Sequence, residues 1–194
     1  MNTNLNHRPA ILIGCLLWIA SFYGELYNYQ PYSTIGLISA PIITLFGIFH
    51  WFKYYKATRG HYPKFLKIAK ELNRKMRKNP FTGISFMFKH LLKTWTFAII
   101  GWMGMVLMGF LIFENSNAFK TAKHYCENNT VIKEQTGNIS YYGILVSGGI
   151  TNSGETGESD LLFTIVAENG NFKANVNLLK TNNNWEVLNC SIDK

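Results

Sequence analysis

Residues 94–113 read TWTFAIIGWMGMVLMGFLIF, from Thr94 to Phe113, twenty positions without a charge. As a helix this stretch is about 30 Å long, the thickness of a bilayer's hydrocarbon core. Trp95 and Trp102 suit the anchoring positions of a span, and Lys89 and Lys93 mark the end that stays inside. The chain before it is apolar or strongly basic. After it the chain turns polar, mildly acidic and β-patterned. The stretch therefore reads as a membrane span that separates two compartments.

Two more apolar stretches precede it. Pro9–Tyr29 contains ILIGCLLWIA and ends in a belt of Tyr23, Tyr27 and Tyr29, with Glu25 near its end. It is long and aromatic and lacks a small-residue cleavage site, so it reads as a span and not as a removed signal. Gln30 and Pro31 make a turn. Tyr32–Phe52 is the second stretch, with Pro41 inside it, which a membrane helix tolerates. Gly36, Ala40 and Thr44 fall four apart and form a small-residue stripe suited to close helix packing. Residues 9–52 are expected to be a transmembrane helical hairpin behind a cytoplasmic tail, 1–8.

Charge fixes the orientation. The net charge of +8 is unevenly spread. Residues 53–93 carry twelve Lys/Arg against Glu71 alone, a net +11, whereas residues 114–194 carry six Lys against nine acids. A basic block held between apolar spans marks a cytoplasmic loop and argues against nucleic-acid binding. The turn at 30–33 has no Lys or Arg and belongs outside. Hence the expected topology is multi-pass in a cell inner membrane, with the N-terminus cytoplasmic and residues 114–194 extracytoplasmic. Within the loop, KFLKIAKELNRKMRK (64–78) is amphipathic. Phe65, Ile68, Ala69, Leu72 and Met76 share one helical face, and Lys64, Lys67, Lys70, Arg74, Lys75 and Arg77 fill much of the rest. That pattern suits an anionic lipid surface, with an acidic protein partner as the alternative. After Asn79 and Pro80, FTGISFMFKHLLK is expected to lie in the membrane interface.

The region 114–194 predicts a small α+β domain: two helices packed on a four-stranded antiparallel sheet. Asn115, Ser116 or Asn117 can cap a helix whose apolar face is Phe119, Ala122, Tyr125 and Cys126. A second helix spans Thr130–Thr136 and ends at Gly137. The period then changes to two. Ile139–Ile150 is expected to be one long strand bent at its glycines, TNSGETGES a loop, and Leu161–Ala167 a strand. Asn169-Gly170 is a hairpin turn. Phe172, Ala174, Val176 and Leu178 alternate with polar residues, and Trp185–Ile192 is the last strand, with Leu188, Cys190 and Ile192 on one face. Cys126 and Cys190 are expected to meet between helix and sheet, as a disulfide closing a loop of about 64 residues or as two buried free thiols.

The run AFKTAKHYCENNTVIKEQTG (118–137), a glycine-broken strand, and FTIVAENGNFKANVNLLKTNNNWEVLNCSI (163–192) together resemble the cytochrome c oxidase complex assembly protein family. That family is itself similar to a subunit of the mitochondrial inner-membrane protein translocase. The resemblance rests on Ala118, Ala122 and Tyr125, on Asn129, Val131 and Ile132 before Gly137, on Ala174 and Val176 after the Asn-Gly turn, and on Trp185 to Leu188. It covers about half the chain. It implies an assembly role for a respiratory oxidase or for inner-membrane proteins, with no catalytic set. The hairpin and the basic loop are departures from the family's single-span plan.

The residues offer little chemistry of their own. His124 and Cys126 lie two apart on a helix and point in different directions. Met103, Met105 and Met108 read as helix packing before they read as a Cu(I) site. Residues 149–157, GITNSGETG, lack the Lys and the following helix of a phosphate loop. No catalytic, metal or cofactor residue is assigned, and no small-molecule substrate. The expected function is a non-enzymatic membrane factor that joins membrane proteins of a larger complex. The alternative is a copper or haem delivery protein, or a membrane enzyme using Cys or Met.

Overall fold

The structure, a computed structural model, describes residues 7–63, 65–79, 81, 83 and 91–194. It falls into two compact units, one of Met1–Trp18 with Ile38–Met103 and one of Ile19–Leu37 with Gly104–Lys194. The helices are α1 (His7–Leu26), α2 (Tyr32–Arg59), α3 (Phe65–Lys78), α4 (Leu91–Asn115), α5 (Asn117–Asn128) and α6 (Thr130–Thr136). Five strands follow: β1 (Ile139–Tyr142), β2 (Ser147–Ser153), β3 (Thr156–Ala167), β4 (Gly170–Thr181) and β5 (Asn184–Asp193).

In the first unit α1 and α2 pack through small residues. A Cβ on Gly14 would collide with the Thr44 hydroxyl, and one on Gly47 would lie 2.8 Å from Ile11. Ala40 and Thr44 are buried as their spacing requires. The Thr44 hydroxyl donates to the Ala40 carbonyl at 2.8 Å, so the stripe carries no orphaned donor. Trp18 is fully buried and meets Trp102 edge to face at 6.3 Å. By contrast Leu12, Leu16, Ile42, Leu45 and Phe46 are exposed. Arg8–Leu26, Tyr32–Arg59 and Trp95–Asn115 are each long and apolar enough to cross a membrane, and only 6% of the apolar window in the last is buried. Bare apolar surface on this scale marks membrane association. A Cβ on Gly101, Gly104 or Gly109 would meet nothing within 4 Å. Helix α2 continues past Phe52 to Arg59, about two turns into the basic segment. Lys64, Pro80 and nearly all of the expected interfacial segment 81–93 lie outside the described residues or have undescribed side chains.

The second unit is an antiparallel sheet with helices α5 and α6 on one face. Ser116 caps α5 by accepting from the Phe119 N–H, and Asn129 caps α6 by accepting from the Ile132 N–H. Gly137, at φ 72°, ends α6. Ala118 and Ala122 are small enough to let α5 approach the sheet. Phe119 fills the centre and meets Phe163 edge to face at 5.1 Å. Leu161, Phe163 and Ile165 from β3, with Ala174, Val176 and Leu178 from β4, complete the core. Lys123 on α5 pairs with Glu114 at the end of α4 at 2.6 Å, which fixes the turn between the two helices.

The sheet has five strands, not the expected four. Its order is β5-β4-β3, and β1 and β2 pair with successive parts of β3. The single strand expected over 139–150 is broken after Tyr142. Gly143 still donates to the Thr164 carbonyl at 2.8 Å, but the Ile144 N–H turns away to a carboxylate, described below. The expected loop TNSGETGES is instead the β2–β3 hairpin, with Ser153 opposite Thr156 and Gly154 at φ 61°. Its residues are exposed on both faces apart from half-buried Gly157 and buried Ser159, so a paired hairpin carries the polarity of a loop. Lys180 continues the inward alternation of β4 and is buried. Its ammonium is satisfied by Asn152 Oδ1 at 2.9 Å and the Gly154 carbonyl at 2.7 Å.

Candidate functional site

Strand β5 pairs with β4 on one side, and its other side has no strand partner among the described residues. It contains no Lys, Arg or Pro, the residues that commonly blunt an edge. The β4–β5 register slips between Asn177, opposite Asn189, and Leu178, opposite Val187. Leu188 is therefore the extra residue of a bulge, and it is 66% exposed. This corrects the expected alternation. Val187 and Cys190 are the half-buried residues flanking the bulge, and Leu188 does not share a face with Cys190 and Ile192. An odd-numbered and an even-numbered residue can both face inward only because of the extra residue between them.

A cleft of about 300 Å³ lies between α5 and this strand, lined by Thr121, His124, Tyr125, Asn128, Asn129 and Val187. The Asn129 amide donates to the Tyr125 hydroxyl at 3.0 Å while its oxygen caps α6, so both side chains are held in place. His124 is exposed at the rim. The cleft offers hydrogen-bonding groups around one aliphatic contact, and it opens beside the free edge.

Cys126 is fully buried on α5, and Cys190 is half-buried on β5. Both thiols are free in the structure and belong to one packed cluster. The neighbouring Cys190 thiol, and then burial, push the Cys126 thiol far above its usual range. Cys126 in turn pulls Cys190 below its usual value. Tyr142 lies near this core, its hydroxyl 3.1 Å from both the Lys123 carbonyl and Glu127 Oε1. Burial, and then the Glu127 carboxylate, raise its phenol well above the usual range.

The opposite face of the sheet carries a feature that the sequence did not announce. Glu25, at the end of α1, is only 2% exposed. Its carboxylate accepts from Ser33 Oγ at 2.7 Å, Thr34 Oγ1 at 3.1 Å and the Ile144 N–H at 3.2 Å. Asn171 donates to the Asn28 carbonyl at 2.9 Å and to Gln30 Oε1 at 3.2 Å, and Lys173 donates to the Leu26 carbonyl at 3.1 Å. The tip of the helical hairpin is thus part of the sheet domain and covers Thr164 on its far face. A signal did exist. One carboxylate in an apolar stretch, facing a Ser-Thr pair across a short turn, must find donors if it is buried.

Of the basic residues, Lys67 lies in α3 and Lys64 outside the described residues, while Lys70, Arg74, Lys75 and Arg77 are exposed on α3. His50 meets Phe46 edge to face, with ring centroids 4.4 Å apart. Met103 is buried, and Met105 and Met108 are exposed, so these three do not converge. Among the described residues no three His, Cys, Asp or Glu side chains gather as metal ligands would. No family model matches the chain, and no curated protein or solved structure is similar to it. The resemblance to the oxidase assembly family therefore rests on the quoted residues alone.

Proposed function

We propose that the protein is a non-catalytic, membrane-anchored interaction factor whose outer domain holds an extended segment of a membrane-protein client. The single observation that carries this is β5: ten residues with one free side, an exposed Leu188 at its bulge, and a polar cleft next to it. An added strand would satisfy the free backbone groups, bury Leu188, and place alternate side chains toward the cleft. The three apolar helices anchor it, multi-pass in the inner membrane. The charge asymmetry supports a cytoplasmic N-terminus and basic loop and an extracytoplasmic sheet domain. Helix α3 presents Lys70, Arg74, Lys75 and Arg77 to the anionic leaflet. The client class implied by the sequence resemblance is a respiratory oxidase. A deletion strain is expected to lose one membrane complex in native gels without accumulating a small-molecule substrate. Unchanged levels of all respiratory complexes refute the oxidase part, and a cytoplasmic signal from a reporter fused after Lys194 refutes the topology.

A further inference from the structure

We propose that Cys126 and Cys190 form a dithiol modification site, which a small disulfide oxidant converts to an intramolecular disulfide that ties the edge strand β5 to α5. The regulatory meaning rests on the docking reading above, but the thiol chemistry does not. Three observations place the pair. Cys126 lies on the sheet-facing side of α5 within the core cluster, with Cys190 packed against that cluster from β5. The Leu188 bulge turns Cys190 inward, opposite Val176 on β4. Both thiols are free, and each shifts the ionisation of the other.

The asymmetry of the pair assigns the roles. Cys190 is half-buried where Cys126 is fully buried, so it is the thiol an oxidant reaches first, and its neighbour Cys126 holds it below its usual value. Its thiolate attacks one sulfur of the oxidant's disulfide, which forms a mixed disulfide and releases one thiolate. Cys126 then gives up its proton, attacks Cys190 Sγ, and releases the second thiol of the oxidant. Two thiols are oxidised to one disulfide, and one oxidant disulfide is reduced to two thiols. Cys15, buried in α1, takes no part. The bond would close a loop spanning 64 positions between α5 and the last strand. It fixes the strand that carries the free edge and the wall of the cleft formed by Val187.

The experiment uses the full chain, purified reduced in detergent and exposed to oxidised glutathione at neutral pH. It is then denatured, alkylated and weighed intact. The reduced protein is expected to take up three alkyl groups, and the oxidised protein one, with no glutathione attached. Cys126→Ser should retain glutathione on Cys190, and Cys190→Ser should take none. The oxidised wild type should melt higher by on the order of 10 °C. Three alkylations after oxidation, or a stable glutathione adduct on the wild type, overturns the proposal without requiring either variant to fold. A bond that forms in a protein whose β5 captures no client refutes the docking reading alone. Capture with no bond refutes only the redox site.

Discussion

Replacing Glu25 with Ala should detach the hairpin tip from the sheet domain, and the cost can be worked from its partners. The carboxylate is 2% exposed and accepts three hydrogen bonds. Ser33 and Thr34 sit in the first turn of α2, where their hydroxyls can turn back to nearby carbonyls, so their loss is small. The Ile144 N–H has no such alternative, because Ile144 is itself 7% exposed and sits between β1 and β2. An orphaned buried donor costs about 1–3 kcal/mol, and the vacated methylene about 1 kcal/mol more. Relief of the buried charge offsets part of this, which leaves about 1–3 kcal/mol. Glu25→Gln keeps an acceptor for Ile144 and can donate to the Ser33 oxygen, so it should cost about 1 kcal/mol. Gly143→Ala should resemble the larger loss, since its Cβ would lie 2.7 Å from Glu25 Oε1 and 3.1 Å from Thr164 Cβ. Thermal unfolding in detergent should show Glu25→Ala and Gly143→Ala melting below Glu25→Gln, with amide exchange at Ile144 accelerated in Glu25→Ala. Wild-type melting and exchange in Glu25→Ala would falsify the anchoring role.

Further tests bear on the domain core, the pH response and the basic helix. Phe119→Ala removes the ring at the centre of the helix–sheet core and should destabilise the outer domain by about 3–5 kcal/mol, read by denaturant unfolding. Tyr142 has its folded pKa raised above the ordinary value of 10.0, so its contribution is complete below that pH and is lost as pH rises through it. The wild type should therefore lose stability above pH 10 more steeply than Tyr142→Phe, and parallel alkaline curves would contradict the buried phenol. A peptide of residues 64–79 should bind vesicles rich in anionic lipid. Changing Lys70, Arg74, Lys75 and Arg77 to Gln should weaken it on the order of 1000-fold, at about 1 kcal/mol per charge, whereas equal binding to neutral vesicles would point to another partner.

The three long apolar helices were legible because length and apolarity are local properties, and Thr94–Phe113 carries both without reference to any other element. Helices α5 and α6 were legible for a similar reason: Ser116, Asn129 and Gly137 punctuate them within a few residues. The β2–β3 hairpin was not. Its residues are polar because both of its faces are largely exposed, and pairing with β3 is a tertiary fact that leaves little apolar alternation behind. The bulge at Leu188 was hidden because a strict period of two runs through Leu188, Cys190 and Ile192 equally well, and only the register with β4 decides between them. Glu25 was read as the weak end of a span. Its partners lie 8, 9 and 119 positions away, and the last of these cannot be found from local pattern. The faces of α5 and β5 bring Cys126 and Cys190 to one packed cluster, where both are free thiols.

The most direct test of the docking account is a photo-crosslinking residue substituted at Leu188 in the full-length protein in native membranes, with the same probe at exposed Lys133 on α6 as control. The account predicts a discrete adduct with one membrane protein from position 188, lost when an extended peptide of that protein is added in excess, and no such adduct from position 133. Equal labelling from both positions, or none from 188, would contradict it.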